Sequence, residues 1–148
     1  MNIVRFISLI VLLSISQTRG MDNLFNTSFE NLIFDIKVTA TCYQPTIEQC
    51  DSTPGITADG SRIDLSNPLK HRWVAVSRDI LRVRHINFGD TILISGTGRY
   101  DGKWVIRDVM SKKFKNKVDF LVGDNDRIGR WEEVNVRIKL KTFSKFCF

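Results

Sequence analysis

The chain has 148 residues, 43% of them hydrophobic, and a net charge of +6 from 22 Lys and Arg against 16 Asp and Glu. That length suits one domain with its own apolar core. With 26% charged residues, the composition excludes a disordered polyelectrolyte and an acidic solvating segment, as well as collagen-like and coiled-coil classes.

Met1 to Arg5 is short and basic, and Phe6 to Ser16 is an eleven-residue apolar run without charge. This pattern predicts a signal peptide over residues 1–20, cleaved after Ser16 or Gly20. The run falls short of the roughly 20 residues that span a bilayer. Neither cleavage site is followed by a cysteine that would accept a lipid. The expectation is therefore a soluble chain with no stable membrane anchor, secreted or held in the periplasm or cell envelope. Its modest positive charge suits an anionic polymer. Residues 21–31 are polar and aperiodic and read as an N-terminal arm or linker, leaving 32–148 as the domain.

From Ile36 onward the hydrophobic period is two. Ile36, Val38 and Ala40 alternate with Lys37, Thr39 and Thr41. Cys42 and Cys50 follow, close enough to staple one loop in an oxidising compartment, and a disulfide between them is expected. The chain-entropy description gives such a short loop about 2–3 kcal/mol. Cys147 is left over. Further strands are predicted at Arg72 to Ser77, Asp90 to Ser95, Lys103 to Asp108, Val118 to Val122 and Val134 to Leu140, each bounded by turn residues. Tyr100-Asp101-Gly102 carries the Asp-Gly pair of a tight hairpin. Helical periodicity is confined to short pieces such as Ser77 to Leu81, where Ser77 can cap a single turn. Six short strands in one small domain point to an all-β closed or nearly closed barrel, since closure removes exposed edges.

Several chemistries lack their residues. There is no CxxC pair, and only His71 and His85 are present as imidazoles, so neither a metal nor another cofactor is expected. Asp124-Asn125-Asp126 resembles the start of a calcium loop, but Asn135 stands where a bidentate Glu is needed. The chain has no Gly-x-Ser-x-Gly elbow. Lys112, Lys113, Lys115 and Lys117 around Phe114 read as a solvated charged loop, and no nucleic-acid partner is expected. What remains is a pair of carboxylates. Asp108 closes an apolar strand on the parity of Trp104 and Ile106, and Asp119 sits inside an apolar run eleven residues later. A buried strand carboxylate must be hydrogen-bonded, neutralised or useful.

Four elements in order resemble the three-aspartate ("3D") domain family: Val38-Thr39-Ala40-Thr41-Cys42-Tyr43, Thr57-Ala58-Asp59-Gly60, Val74-Ala75-Val76-Ser77 with Gly89-Asp90-Thr91, and Asp108 through Asp119 with Asn116-Lys117-Val118. The resemblance covers roughly Val38 to Ile138. It implies a six-stranded double-psi β-barrel with short helical turns. It also implies kinship with the catalytic domain of membrane-bound lytic transglycosylase A and, more distantly, with rare lipoprotein A.

The function so implied is cleavage of peptidoglycan or another cell-wall glycan. Asp108 would donate a proton to the glycosidic oxygen and then accept one from the sugar's own 6-hydroxyl, with Asp119 in support. Tyr43, Trp104 and Asn116 are the expected substrate-binding residues, with Trp131 as a further sugar-stacking face. The chain departs from the family at Ser77, where the first aspartate is expected, and at Val109-Met110-Ser111, which replaces a small Thr-Gly-Gly. A noncatalytic barrel that binds wall polysaccharide or an envelope protein is the alternative.

Overall fold

The computed structural model describes residues 33–50, 52–83 and 86–139. The signal-peptide and arm expectations, and Cys147, fall outside them.

Six strands form the domain: β1 (Ile33–Tyr43), β2 (Trp73–Val76), β3 (Thr91–Ser95), β4 (Gly102–Val109), β5 (Lys117–Leu121) and β6 (Arg130–Lys139). They close into a barrel in the order β1-β5-β2-β4-β3-β6. The β1/β5 and β2/β4 pairs are parallel and the other four are antiparallel. Parallel neighbours cannot be joined by a tight hairpin, and these two pairs provide the crossed connections of a double-psi barrel. One short helix, α1 (Arg78–Val83), and a 3₁₀ turn at Pro68–His71 complete the regular structure among the described residues.

The alternation of side chains sorts the strands onto two faces. Val38, Ala40, Val74, Val76, Ile92, Ile94, Trp104, Ile106, Val118, Phe120, Val134, Val136 and Ile138 fill the barrel interior. Trp104 and Phe120 lie with ring centroids 4.5 Å apart, Tyr100 stacks on Phe120 at 5.2 Å, and the indole Nε1 of Trp104 donates to the Tyr100 carbonyl at 2.7 Å. Burying each such ring contributes roughly 1.5–3 kcal/mol. Trp104 is therefore core and not a sugar platform. It is completely buried, with the Arg72 guanidinium 4.0 Å from its ring centroid. Trp131 likewise packs edge-on against Tyr100 and Phe120.

A second, smaller cluster lies on the outer face of β1, β5 and β2, made of Tyr43, Ala75, Met110 and Leu121. The connection from β1 to β2 covers it, with Cys50 and Ile63 packed against the cluster. This separation of faces also decides the cysteines. Cys42 falls on the interior parity of β1 and packs against the barrel core, whereas Cys50 packs against the outer cluster and its Sγ donates to the Gln44 carbonyl at 3.5 Å. The expected Cys42–Cys50 bridge is not formed. Burial pushes the Cys42 thiol up to about 11, against the Gly129 amide, which lowers it.

Candidate active site

A β-bulge places the first carboxylate. Along β4, Ile106 pairs with Val74, but the next residue of β2, Ala75, pairs with Asp108, so Arg107 is the extra residue. A bulge shifts the strand by one and reverses which face the following side chain takes. Asp108 thus leaves the interior parity of Trp104 and Ile106, where the sequence put it, and joins Ala75 on the outer face. On the other side of β2, Ala75 pairs antiparallel with Asp119, which pairs in turn with Thr41 of β1. Both acids therefore flank one small side chain.

Asp108, Asp119 and Tyr43 line one cavity of about 670 Å³. Its floor is the outer face of β1, β5, β2 and β4. Pro54, Ile56, Thr57 and Ala58 contribute from the covering connection, and Arg78, Ser111 and Phe114 complete the rim. Phe114 is held by Lys113 and Lys117, whose ammonium groups lie 5.1 and 5.2 Å from its ring centroid.

The two acids differ in their partners. Asp108 accepts from the Val109 amide at 2.8 Å and the Ala58 amide at 3.1 Å on Oδ1, and from the Tyr43 hydroxyl at 3.1 Å on Oδ2. All three are donors, the complement of an acceptor-only carboxylate. Burial and the adjoining Asp108 charge push the Tyr43 phenol well above its usual range, so it stays a donor. Asp119 has one hydrogen bond among the described residues, from the Thr41 hydroxyl to Oδ1 at 2.7 Å. Burial raises the Asp119 carboxyl to about 6, opposed by the Thr41 bond, reinforced by the negative charge of Asp108 and opposed again by Lys117. Two like groups with different surroundings are a common source of separate acid and anion roles.

The Ala58 amide reaches Asp108 because its turn is pinned to the bulge. An isolated bridge between Ile56 and Arg62 closes the turn, and Gly60 takes φ +86° within it. Asp59 receives the Thr57 hydroxyl at 2.7 Å, the Ser61 amide at 3.0 Å and the Arg107 guanidinium at 2.9 Å. Burial would raise Asp59, but these bonds overcome it and hold the carboxyl down at about 2. The Asp59 amide also donates to the Arg107 carbonyl at 3.3 Å. One bulged residue thus turns Asp108 outward and anchors the loop that donates to it.

Asn116 does not line the cavity. Its backbone is left-handed, φ +50°, its amide donates to Asp79 Oδ2 at 2.9 Å and its carbonyl accepts from Thr39. It is a turn residue entering β5. Ser77 is also outside the cavity. Fully buried, it exchanges bonds with the Lys117 backbone and fastens the end of β2 to β5. Ser77 is therefore a structural tie and does not line the cavity.

Sequence reasoning missed Ala75, Thr41, Arg107 and Arg78. Thr41 has a signal, because its parity with Tyr43 on β1 is legible. Arg107 and Arg78 have none without the bulge and the cavity. Among the described residues no three His, Cys, Asp or Glu side chains gather as a metal site, and no helix is long and apolar enough to cross a membrane. Comparison of the chain with protein-family models, with curated proteins and with solved structures found no match.

Proposed function

We propose that the chain is an exported enzyme that cleaves a cell-wall glycan, peptidoglycan before others, by a lytic-transglycosylase-type reaction at Asp108 and Asp119. The observation that carries this reading is the meeting of two unlike carboxyls on one cavity wall, Asp108 saturated with donors and Asp119 raised to about 6. The ordered motifs that resemble the three-aspartate family support it, since both acids fall at the positions the resemblance picks out.

This reading divides the work differently from the sequence-based expectation. Asp119, protonated in mildly acidic solution, gives its proton to the glycosidic oxygen as the bond from that oxygen to C1 breaks. The sugar's C6 hydroxyl bonds to C1, and its proton returns to Asp119, which ends as it began. No water is consumed, and one carboxyl suffices because the nucleophile belongs to the substrate. Asp108, immobilised by Ala58, Val109 and Tyr43, supplies a fixed negative charge to the cationic anomeric carbon. Asp108 becomes the stabilising anion and Asp119 the proton carrier because Asp108 accepts three hydrogen bonds and Asp119 one.

The same saturation of Asp108 favours a second reading, a barrel that binds wall polysaccharide or an envelope protein without cutting. Mass spectrometry of murein sacculi incubated with the protein, beside Asp108→Asn and Asp119→Asn, separates the two. Products ending in anhydromuramic acid, lost in both variants, are expected. Hydrated reducing ends would replace the transglycosylase by a hydrolase that needs a group to activate water. Retention on the sacculi without products would establish the binding module.

A further inference from the structure

Arg78 opens α1 and lines the same cavity, and nothing in the proposed reaction uses it. Among the described residues its guanidinium makes no ion pair and no hydrogen bond, and its Nε is buried without an acceptor. Arg107 also has a buried Nε without an acceptor, but its Nη1 is held by Asp59 at 2.9 Å, whereas no part of the Arg78 guanidinium has such a partner among the described residues. A guanidinium cannot discharge itself. Buried donor surface on such a group, without an acceptor, is a standing cost that a ligand oxygen would remove.

None of the acids nearby is paired with it. Asp79, the next residue, accepts from the Asn116 amide on Oδ2, and its Oδ1 is buried without a partner. Asp108 accepts from three donors and Asp119 from Thr41, and Arg78 is not among them. The cavity thus carries negative charge on its floor and an unanswered positive charge at its rim.

We propose that Arg78 is the docking group for a carboxylate carried by the glycan, so that the cavity selects acidic over neutral saccharides. The proposal rests on the glycan reading above and names its substrate class, a glycan with a free carboxylate such as a muramyl unit without a stem peptide. The Nε and Nη edge of a guanidinium is a planar two-donor fork that matches both oxygens of a carboxylate. A dianionic phosphate meets the same fork but suffers about twice the repulsion from two floor acids, which favours the monoanion. The neutral ring of the sugar then lies toward Asp108 and Asp119 while its acidic substituent reaches the rim. No feature of the four family-like motifs contains Arg78, so the selectivity belongs to this chain.

The test is a ¹H–¹⁵N titration of the full chain, following the Arg78 Nε–H resonance, assigned by its disappearance in Arg78→Lys. N-acetylmuramic acid, which carries a carboxylate, is expected to move the resonance, and neutral N-acetylglucosamine to leave it in place. Binding of N-acetylmuramic acid to Arg78→Lys should be weaker by about tenfold, as expected for the loss of one charge-assisted pair, with the circular dichroism spectrum unchanged. An unmoved resonance, or one moved by inorganic phosphate and not by N-acetylmuramic acid, overturns the proposal. Where the variant fails to fold, through-bond assignment of the wild-type Nε–H identifies the resonance and the wild-type titration stands. A shift with lactate but none with N-acetylmuramic acid removes the sugar and overturns it as well. Failure of the cleavage reading is seen separately, as sacculi that yield no products while the Arg78 resonance still responds.

Discussion

Asp108 and Asp119 lie on either side of Ala75, the first paired with it in parallel and the second antiparallel. The alanine is almost completely buried and leaves the two carboxyls in one electrostatic neighbourhood. Burial is the larger cause of the raised Asp119 carboxyl and the charge of Asp108 a smaller one. Asp108→Asn should therefore lower the Asp119 titration from about 6 without returning it to the ordinary aspartate value of 3.8. A carboxyl ¹³C titration reads this directly, and an Asp119 midpoint unmoved by the substitution would show that the acids do not sense each other.

The same shift predicts a pH dependence of stability. Because the folded state holds the Asp119 proton more tightly than the unfolded chain, its contribution is fully present below about 3.8 and is lost as pH rises through about 6. Asp119→Asn imitates the protonated form and keeps the acceptor for Thr41. The variant should match wild type near pH 3.5 and exceed it at pH 8, by no more than about 3 kcal/mol for a shift of roughly two units. Thermal melts at the two pH values check the sign. A variant less stable than wild type at pH 8 would mean that the Asp119 carboxylate is stabilised by the fold and is no proton carrier.

Strand alternation made the barrel legible, because Val38 and Ala40, Ile92 and Ile94, and Val134 through Ile138 each mark an interior face by period two. The same rule placed Trp104 inside, which its assignment as a sugar platform ignored. Alternation misplaced Asp108, since a bulge has no signature in the sequence and a single extra residue at Arg107 inverts everything after it. The covering connection was illegible for a different reason. Its turn is fixed by Asp59 reaching Arg107, 48 positions away, and by backbone amides that carry no residue identity.

That anchor yields a prediction of its own. Asp59 accepts three hydrogen bonds, from the Thr57 hydroxyl, the Ser61 amide and the Arg107 guanidinium. Asp59→Asn removes the charge that holds Arg107 and loosens the turn that presents the Ala58 amide. A loss of about 1–2 kcal/mol is expected for a partly buried, hydrogen-bonded pair. The depressed Asp59 carboxyl contributes stability above its unfolded value of 3.8 and loses it as pH falls toward about 2, so the deficit of Asp59→Asn should shrink in acid. Limited proteolysis should cut the connection between β1 and β2 sooner in the variant. Equal protection of the two proteins would remove Asp59 as the anchor.

Cys42 tests the division between the two faces. Proximity in sequence favoured a bridge to Cys50, but a strand turns alternate residues to opposite sides, and Cys42 shares the interior with Ala40 while Tyr43 shares the outer cluster with Cys50. A disulfide needs β-carbons about 3.5–4.5 Å apart with converging directions, which opposite faces of one strand do not offer. Non-reducing peptide mapping of the folded protein should give no linked Cys42–Cys50 peptide. Cys42→Ser should still destabilise by about 1 kcal/mol, because it replaces a sulfur packed against the barrel core by a smaller, more polar hydroxyl that the Gly129 amide only partly compensates. The decisive comparison is this loss with and without reductant. A cost that vanishes under reducing conditions would mean a cross-link, and with it a β1 register in which Cys42 faces outward; a cost that persists belongs to the packing of the barrel interior.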